Sequence, residues 1–127
     1  MNILIIEDEP YSREAMTLLL SDLGHNVKAL SSLESLGEHK ESFVSDITFT
    51  DIELDKTELS DSHISKLSQE GRSKIVIVTG RSYEELSQCA KNNLFHFIRK
   101  PVDFNEIEEI ILKIEQEGHP LSPIVGF

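Results

Sequence analysis

The sequence predicts an α/β fold whose parallel sheet is covered by helices on both faces. Two observations lead to this prediction. Five short apolar segments typical of buried strands alternate with segments that have helical spacing, and polar side chains follow four of these strands. Strict alternation of strand and helix favours right-handed crossovers and a parallel sheet. A chain of 127 residues suits a single domain with one core.

The five predicted strands are rich in branched apolar side chains. Residues 2–6 form a near-continuous apolar run, as expected of a strand buried on both faces. The other four predicted strands cover residues 26–30, 46–50, 74–79 and 94–99.

Five helices are predicted between and after these strands. The first covers residues 10–23, with Pro10 in its first turn, and the third lies near residues 61–70. Capping-box spacings mark the starts of the other three helices. Those pairs are Ser31 with Glu34, Ser82 with Glu85, and Asp103 with Glu106.

Apolar stripes indicate which helix faces enter the core. Gly118 is expected to end the last helix. The stripes are Met16, Leu19, Leu20 and Leu23 in the first helix, Ile64 and Leu67 in the third, and Ile107, Ile110, Ile111 and Ile114 in the last.

The composition restricts the classes of partner. Lys and Arg number 12 against 23 Asp and Glu, which gives a formal net charge of -11. So acidic a surface repels nucleic acid and anionic membranes, and proteins and metal ions are the favoured partners. The single cysteine, Cys89, is interpreted as a packing or surface position on a helix and indicates a reducing compartment. With no signal-like N-terminus or membrane-spanning run, the prediction is a cytoplasmic protein.

Acidic residues follow two of the predicted strands. Asp51 follows the third strand, where its carboxylate could attack phosphorus. Glu7 and Asp8 end the first strand and should lie beside Asp51, because ligands of parallel sheets bind where strands end. Three crowded carboxylates repel one another unless a cation neutralises them, and hard oxygen ligands favour Mg²⁺. Taken alone, Asp51 has the alternative of a helix cap or turn residue, and Glu7 with Asp8 that of a solvated acidic turn before Pro10.

The fourth and fifth predicted strands end in groups suited to phosphoryl oxygens. The Thr79 hydroxyl can donate a hydrogen bond, and Gly80 after it permits close approach of a ligand. Lys100 supplies a positive charge, and Pro101 after it can form a cis peptide bond. The order acidic pair, Asp, Thr and Lys-Pro on successive strand ends therefore points to phosphoryl chemistry.

At these residues the chain resembles the receiver domains of response regulators, of the chemotaxis type. The likeness covers residues 1–117 and rests on four stretches of sequence: ILIIEDEP, DITFTDIE, IVIVTG and FHFIRKP. It implies a flavodoxin-like three-layer fold with strand order 2-1-3-4-5. It also implies phosphorelay signalling in a two-component system, without classical enzyme activity.

The resemblance also implies residue roles. Asp51 would accept a phosphoryl group from a histidine kinase or phosphotransfer protein, and Thr79 and Lys100 would bind the phosphoryl oxygens. Phe97 occupies the position of the switch aromatic. A downstream protein would bind the face built by the fourth helix, fifth strand and fifth helix. The implied Mg²⁺ ligands are Glu7, Asp8, Asp51 and the backbone carbonyl of Glu53.

The loop after Asp51 departs from the family pattern, since it reads Ile-Glu-Leu-Asp-Lys-Thr-Glu with neither Pro nor Gly. A different loop shape is therefore possible. Glu53 and Arg81 lie two residues past Asp51 and Thr79, positions that flank the route of water in receivers. Their charges could pair and set the lifetime of the phosphorylated state, although two unpaired side chains are an equal alternative.

Two other functions remain open. A haloacid-dehalogenase-like phosphatase also uses a strand-end Asp, and residues 78–81, VTGR, resemble its second motif. However, its first motif is Asp-x-Asp, whereas the second acid here is Glu53. A receiver-like binding module that is never phosphorylated is the other alternative. Residues 118–127 are interpreted as a tail, linker or docking peptide, and the five histidines lack metal-ligand spacing.

Overall fold

The computed structural model describes residues 1–32, 44–54, 57–58, 60–68 and 73–117. In chain order the elements are β1 (Asn2–Ile6), α1 (Pro10–Asp22), β2 (Asn26–Leu30), β3 (Ile47–Thr50), β4 (Glu53–Leu54), β5 (Thr57–Glu58), α2 (Asp61–Ser68), β6 (Lys74–Thr79), a 3₁₀ turn (Tyr83–Glu85), α3 (Gln88–Asn93), β7 (Leu94–Arg99) and α4 (Phe104–Glu117).

Five of the strands form one parallel sheet in the order β2-β1-β3-β6-β7. Because β4 and β5 form a separate hairpin, this order is the predicted 2-1-3-4-5. Ile6 pairs with Thr50, and Thr50 pairs with Ile77, so β1 and β3 end level with each other and β6 continues two residues further, to Thr79. This alignment brings the residues that follow β1 and β3 to one edge of the sheet.

Helices cover the sheet on both faces. On one face α1 contributes Met16 and Leu20 to a core cluster, and α4 contributes four isoleucines. On the other face Ile64 and Leu67 of α2 pack with Ala90 of α3. The predicted stripes of α2 and α4 are therefore confirmed, and the buried isoleucines of α4 are Ile107, Ile110, Ile111 and Ile114.

The ends of two elements differ from the prediction. Leu23, expected in the core, is 43% exposed because α1 ends at Asp22 and the chain turns at Gly24, whose φ is +93°. A positive φ costs glycine little because it has no Cβ. The third strand begins at Ile47 rather than Asp46, whose carboxylate instead accepts a hydrogen bond from the Asn2 backbone at 2.8 Å.

The fourth predicted helix begins later than expected. Glu85 does accept a hydrogen bond from the Ser82 backbone at 2.9 Å, but this contact closes only one 3₁₀ turn. Leu86 then adopts an extended backbone, with ψ of 150°, and its side chain is buried in the core. The α-helix begins at Gln88, and Ser87 caps it by accepting from the Ala90 backbone.

Four α-helices lie within the described residues. The helix predicted to start at Ser31 and Glu34 falls largely on residues 33–43, which lie outside the described part of the chain. The predictions for Gly118 and for the tail at 118–127 also lie outside it. None of the described helices is long and apolar enough to span a lipid bilayer.

Candidate phosphoryl-transfer site

The carboxyl edge of the sheet brings together the predicted site residues from four strands. Glu7 follows β1 and Asp51 follows β3, and the Asp51 N–H donates to the Ile6 carbonyl at 3.4 Å. Thr79 ends β6, and its carbonyl accepts from the Lys100 N–H at 2.7 Å. The convergence predicted from the strand ends is therefore present in the backbone geometry.

Asp51 is a buried carboxylate with both oxygens engaged. It is 8% exposed. Its Oδ1 accepts from the backbone N–H groups of Ile52 at 2.7 Å and Glu53 at 3.2 Å. Its Oδ2 lies 2.9 Å from Nζ of Lys100. These contacts hold the carboxylate in one orientation, and charge-assisted bonds of this kind are among the stronger ones in proteins.

Lys100 bridges two carboxylates. Its Nζ also lies 2.8 Å from Oε1 of Glu7, whose Oε2 accepts from the Glu9 backbone at 3.2 Å. Burial by itself lowers the pKa of Lys100, but the hydrogen bonds to Asp51 and Glu7 outweigh it and raise that pKa above its ordinary value of 10.5. The lysine is therefore a permanent positive charge in the site. The Lys100–Pro101 peptide bond is cis.

Burial disfavours the charged form of the Glu7 carboxyl group. Glu7 is 3% exposed, and burial raises its pKa above 4.5 although the hydrogen bond and charge of Lys100 oppose that rise. The neighbouring charge of Asp51 also raises the Glu7 pKa. Carboxylates this close favour any additional cation that can reach them.

Arg13 is a residue of this site that the sequence reasoning missed. Its Nη1 donates to the backbone carbonyls of Glu7 at 2.9 Å and Asp8 at 3.5 Å. The guanidinium thus fixes the loop that carries the acidic pair. The only signal in the sequence is a basic residue one turn into the first predicted helix, which is too common to single it out.

The acidic residues suit Mg²⁺ by the chemistry of their oxygen donors. The described residues contain no group of three or more His, Cys, Asp or Glu side chains placed to hold a metal. Mg²⁺ does not require such a group, since it keeps several waters and uses one or two carboxylates with substrate phosphates. Glu7, Asp8 and Asp51 supply hard oxygen donors of this kind, and the Mg²⁺ assignment stays a prediction.

The comparisons with known proteins agree with this geometry. The family model of the response regulator receiver domain matches residues 3–112. The chain belongs to this family. Response regulator receiver domains are signalling domains of two-component systems rather than classical enzymes.

This receiver domain is similar to known response regulators at low sequence identity. A response regulatory protein of Vibrio vulnificus is 27% identical over 123 residues, which cover 89% of this chain and 47% of that protein. The chain thus spans about half the length of that curated relative. A response regulator structure from Clostridium difficile is 18% identical, with a TM-score of 0.83 and coverage of 94% and 98% of the two chains.

A third relative was solved with ligands. The response regulator TrrA of Thermotoga maritima, in complex with Mg(2+)-BeF, is 21% identical with a TM-score of 0.73, and the match covers 89% of this chain and 97% of that one. At these low identities, the two solved structures show that the fold is shared.

Thr79 of the receiver domain is buried, at 2% exposure. Its Oγ1 accepts a hydrogen bond from the Arg81 backbone N–H at 3.3 Å. The hydroxyl therefore ties the turn after β6 to the end of that strand. Its proposed bond to a phosphoryl oxygen stays a prediction.

Phe97, at the predicted switch position, is half-buried on β7. The ring of Tyr83 meets it edge-on, with ring centres 5.7 Å apart and planes at 86°. Tyr83 is 41% exposed and lies in the 3₁₀ turn, four residues after Thr79. A surface ring thus covers the predicted switch aromatic.

The loop after Asp51 forms a short hairpin in this receiver domain. Glu53 pairs with Glu58 and Leu54 with Thr57 in antiparallel register. The Glu53 side chain also forms an ion pair with Arg81, with Nη2 and Oε2 2.8 Å apart. The paired alternative is therefore the one found, and it joins the hairpin to the turn after Thr79.

A groove of about 310 Å³ lies between α1 and the loop that follows β7. Tyr11 and Ala15 of α1 line one part of it, and Val102 and Phe104 line another. Lys100 also lines it, so the groove reaches one residue of the site.

Proposed function

We propose that this receiver domain accepts a phosphoryl group on Asp51 from a histidine kinase or phosphotransfer protein. The observation that carries the proposal is the Asp51 carboxylate, held at the carboxyl edge by two backbone N–H groups and by Lys100 at 2.9 Å. A fixed carboxylate beside a fixed ammonium group suits attack on phosphorus, because the positive charge offsets the charge of the phosphoryl oxygens.

The chemistry is a single displacement. A carboxylate oxygen of Asp51 forms the new P–O bond while the P–N bond of the phosphohistidine breaks, and the nitrogen of the leaving histidine ring takes a proton from solvent. Lys100 pairs with one phosphoryl oxygen, and the Thr79 hydroxyl donates to another. Hydrolysis of the resulting acyl phosphate by water returns the domain to its starting state.

Mg²⁺ is the proposed cofactor. Glu7, Asp8, Asp51 and the Glu53 carbonyl would hold it, and when bound it would neutralise the charge gathered by carboxylates and phosphoryl oxygens. Lys100 supplies part of this charge itself.

The Thr79–Phe97 pair is the proposed switch. If the Thr79 hydroxyl turns toward the phosphoryl group, Phe97 can move inward and leave the edge contact with Tyr83. The downstream protein would then bind a changed face of α3, β7 and α4.

The groove beside Lys100 is the proposed docking site of the phosphodonor protein. The proposal also includes the cytoplasmic location predicted from the sequence.

The proposal is tested by intact-mass measurement after incubation with a small phosphodonor. With Mg²⁺ the protein should gain one phosphoryl group, and without Mg²⁺ it should gain little. Asp8→Asn should require more Mg²⁺ than wild type, whereas the matched control Glu14→Gln, an exposed acid on α1, should not.

Two outcomes would favour the alternatives. No mass gain under any Mg²⁺ concentration would indicate a receiver-like binding module. Multiple turnover of a phosphomonoester, measured as released phosphate, would indicate a phosphatase.

A further inference from the structure

The Arg13 side chain connects α1 to the loop that follows β1. Its Nη1 donates to the backbone carbonyls of Glu7 at 2.9 Å and of Asp8 at 3.5 Å, the second contact being the weaker. The backbone N–H of Arg13 donates to the Glu9 carbonyl at 3.0 Å. One half-buried residue of the helix thus contacts three consecutive carbonyl oxygens of the loop.

The two acidic residues of this loop differ in what else holds them. Oε1 of Glu7 lies 2.8 Å from Nζ of Lys100, and the Glu7 backbone N–H donates to the Leu30 carbonyl at 3.0 Å. The Glu7 carboxylate thus has contacts outside the loop. Asp8 follows the peptide group whose carbonyl Arg13 holds at 2.9 Å. Loss of the guanidinium is therefore expected to act more on Asp8 than on Glu7.

We propose that Arg13 is a positioning residue that raises the affinity of the acidic pair for Mg²⁺ by fixing the loop backbone. The inference rests on the proposed function, in which Glu7 and Asp8 help to hold the ion. Replacing a residue that holds metal ligands in place typically lowers metal affinity by about tenfold or more. A loop that is already ordered also loses less conformational freedom when the ion binds.

The charge of Arg13 acts against this positioning effect. A guanidinium near the site repels a divalent cation, so Coulomb's law alone predicts that Mg²⁺ binds more tightly once the charge is removed. Loss of the carbonyl contacts predicts the opposite, because the loop must then be ordered at the expense of binding. The two effects differ in sign, and the inference is that ordering of the loop prevails.

The test is titration of the unphosphorylated protein with Mg²⁺, followed by the amide chemical shifts of the loop. Arg13→Lys keeps the charge but loses the planar guanidinium fork, so a severalfold lower affinity in this variant reports positioning alone. Arg13→Gln removes both, and we expect it to weaken binding by about tenfold. Lys66→Gln, which removes a charge from an exposed position on α2, should leave the affinity unchanged.

Two further measurements separate positioning from a general loss of structure. In the Asp8→Asn background, Arg13→Gln should lower the Mg²⁺ affinity by a smaller factor, because the residue through which it acts has already been changed. At saturating Mg²⁺, the rate of phosphorylation by a small phosphodonor should return nearly to that of wild type, since Lys100 still holds Glu7 and Asp51. A variant with a generally loosened fold would instead show a lower rate at every Mg²⁺ concentration.

Several results would overturn this inference alone. They are wild-type affinity in Arg13→Lys, unchanged or tighter binding in Arg13→Gln, an equal effect of Arg13→Gln with and without Asp8→Asn, and a rate that stays low at saturating Mg²⁺. If wild type showed no Mg²⁺-dependent shifts, the inference would fail together with the proposed cofactor. Phosphorylation of Asp51 is measured separately by intact mass, so failure of the acceptor role is distinguishable from failure of the role of Arg13.

Discussion

Lys100 joins the two buried carboxylates of the site. Its ammonium group lies 2.8 Å from Glu7 and 2.9 Å from Asp51. One positive charge therefore pairs with the carboxylates that follow β1 and β3. A neutral residue here would leave both carboxylates without this positive charge in a buried position, which is costly. The lysine therefore stabilises the site before any phosphoryl group arrives and remains positioned to bind one afterwards.

His25 is the residue whose titration should affect stability near neutral pH. Its Nδ1 lies 2.9 Å from the Met1 ammonium group, and burial, followed by that charge, lowers the His25 pKa below 6.5. Protonation thus costs more in the folded state than in the unfolded chain. Neutral His25 therefore contributes fully to the free energy of unfolding above pH 6.5. This contribution is lost as the pH falls through the lowered pKa.

The measurement is urea unfolding of wild type and His25→Asn between pH 5 and 7.5. The Asn carbonyl keeps an acceptor for the ammonium group but does not titrate in this range. We expect the free energy of unfolding of wild type to fall more steeply below pH 6.5 than that of the variant. Equal slopes would contradict the role of His25.

At the scale of elements, an ion pair between Glu53 and Arg81 connects the hairpin of β4 and β5 to the turn after β6. Glu53 and Arg81 are 2.8 Å apart, with side-chain exposures of 55% and 29%. Such an exposed pair contributes only about 0–1 kcal/mol. Its importance lies in its position, since it connects the segments that follow Asp51 and Thr79.

We predict that this pair slows loss of the phosphoryl group by hindering in-line attack of water. Replacing both residues with Ala should speed dephosphorylation by at most about fivefold, the rate change that corresponds to roughly 1 kcal/mol. If the ion pair is responsible, each single variant in a double-mutant cycle should raise the dephosphorylation rate nearly as much as the double variant does. A double variant that decays no faster than wild type would exclude this role.

The short helix α2 depends on two side chains for its packing. Ile64 and Leu67 are each 1% exposed, and both belong to the cluster beneath β6. We predict that Ile64→Ala lowers the free energy of unfolding by about 2–5 kcal/mol, because it leaves a cavity in a close-packed core. Ser65→Ala, at an exposed position of the same helix, should change it by about 0.5 kcal/mol or less. Similar losses in the two variants, measured by denaturant titration, would contradict this packing.

For the whole molecule, the periodicity of the sequence predicted the sheet because apolar strand runs are local signals. Residues 74–79 and 94–99 form strands with the predicted bounds. The strand-end residues converged because parallel topology places them at one edge. In contrast, Leu86 is buried in an extended conformation by packing against distant residues, so the spacing of Ser82 and Glu85 could not reveal the delayed start of α3.

The limits of prediction at the site are also physical. The sequence indicated that Asp51 and Lys100 would meet but not that Lys100 would bridge to Glu7, because side-chain reach depends on the final backbone. The reach of Arg13 to the loop carbonyls was missed for the same reason. The pairing of Glu53 with Arg81 had an equal alternative in the sequence, and only the fold of the hairpin decides it.

The most direct test of the account is to locate the phosphoryl group in the chain. After incubation with Mg²⁺ and a small phosphodonor, reduction of the acyl phosphate by borohydride and peptide mass mapping would mark the modified residue. We predict modification at Asp51 alone, and none in Asp51→Asn. Modification at another residue, or undiminished modification of the Asp51→Asn protein, would contradict the central claim.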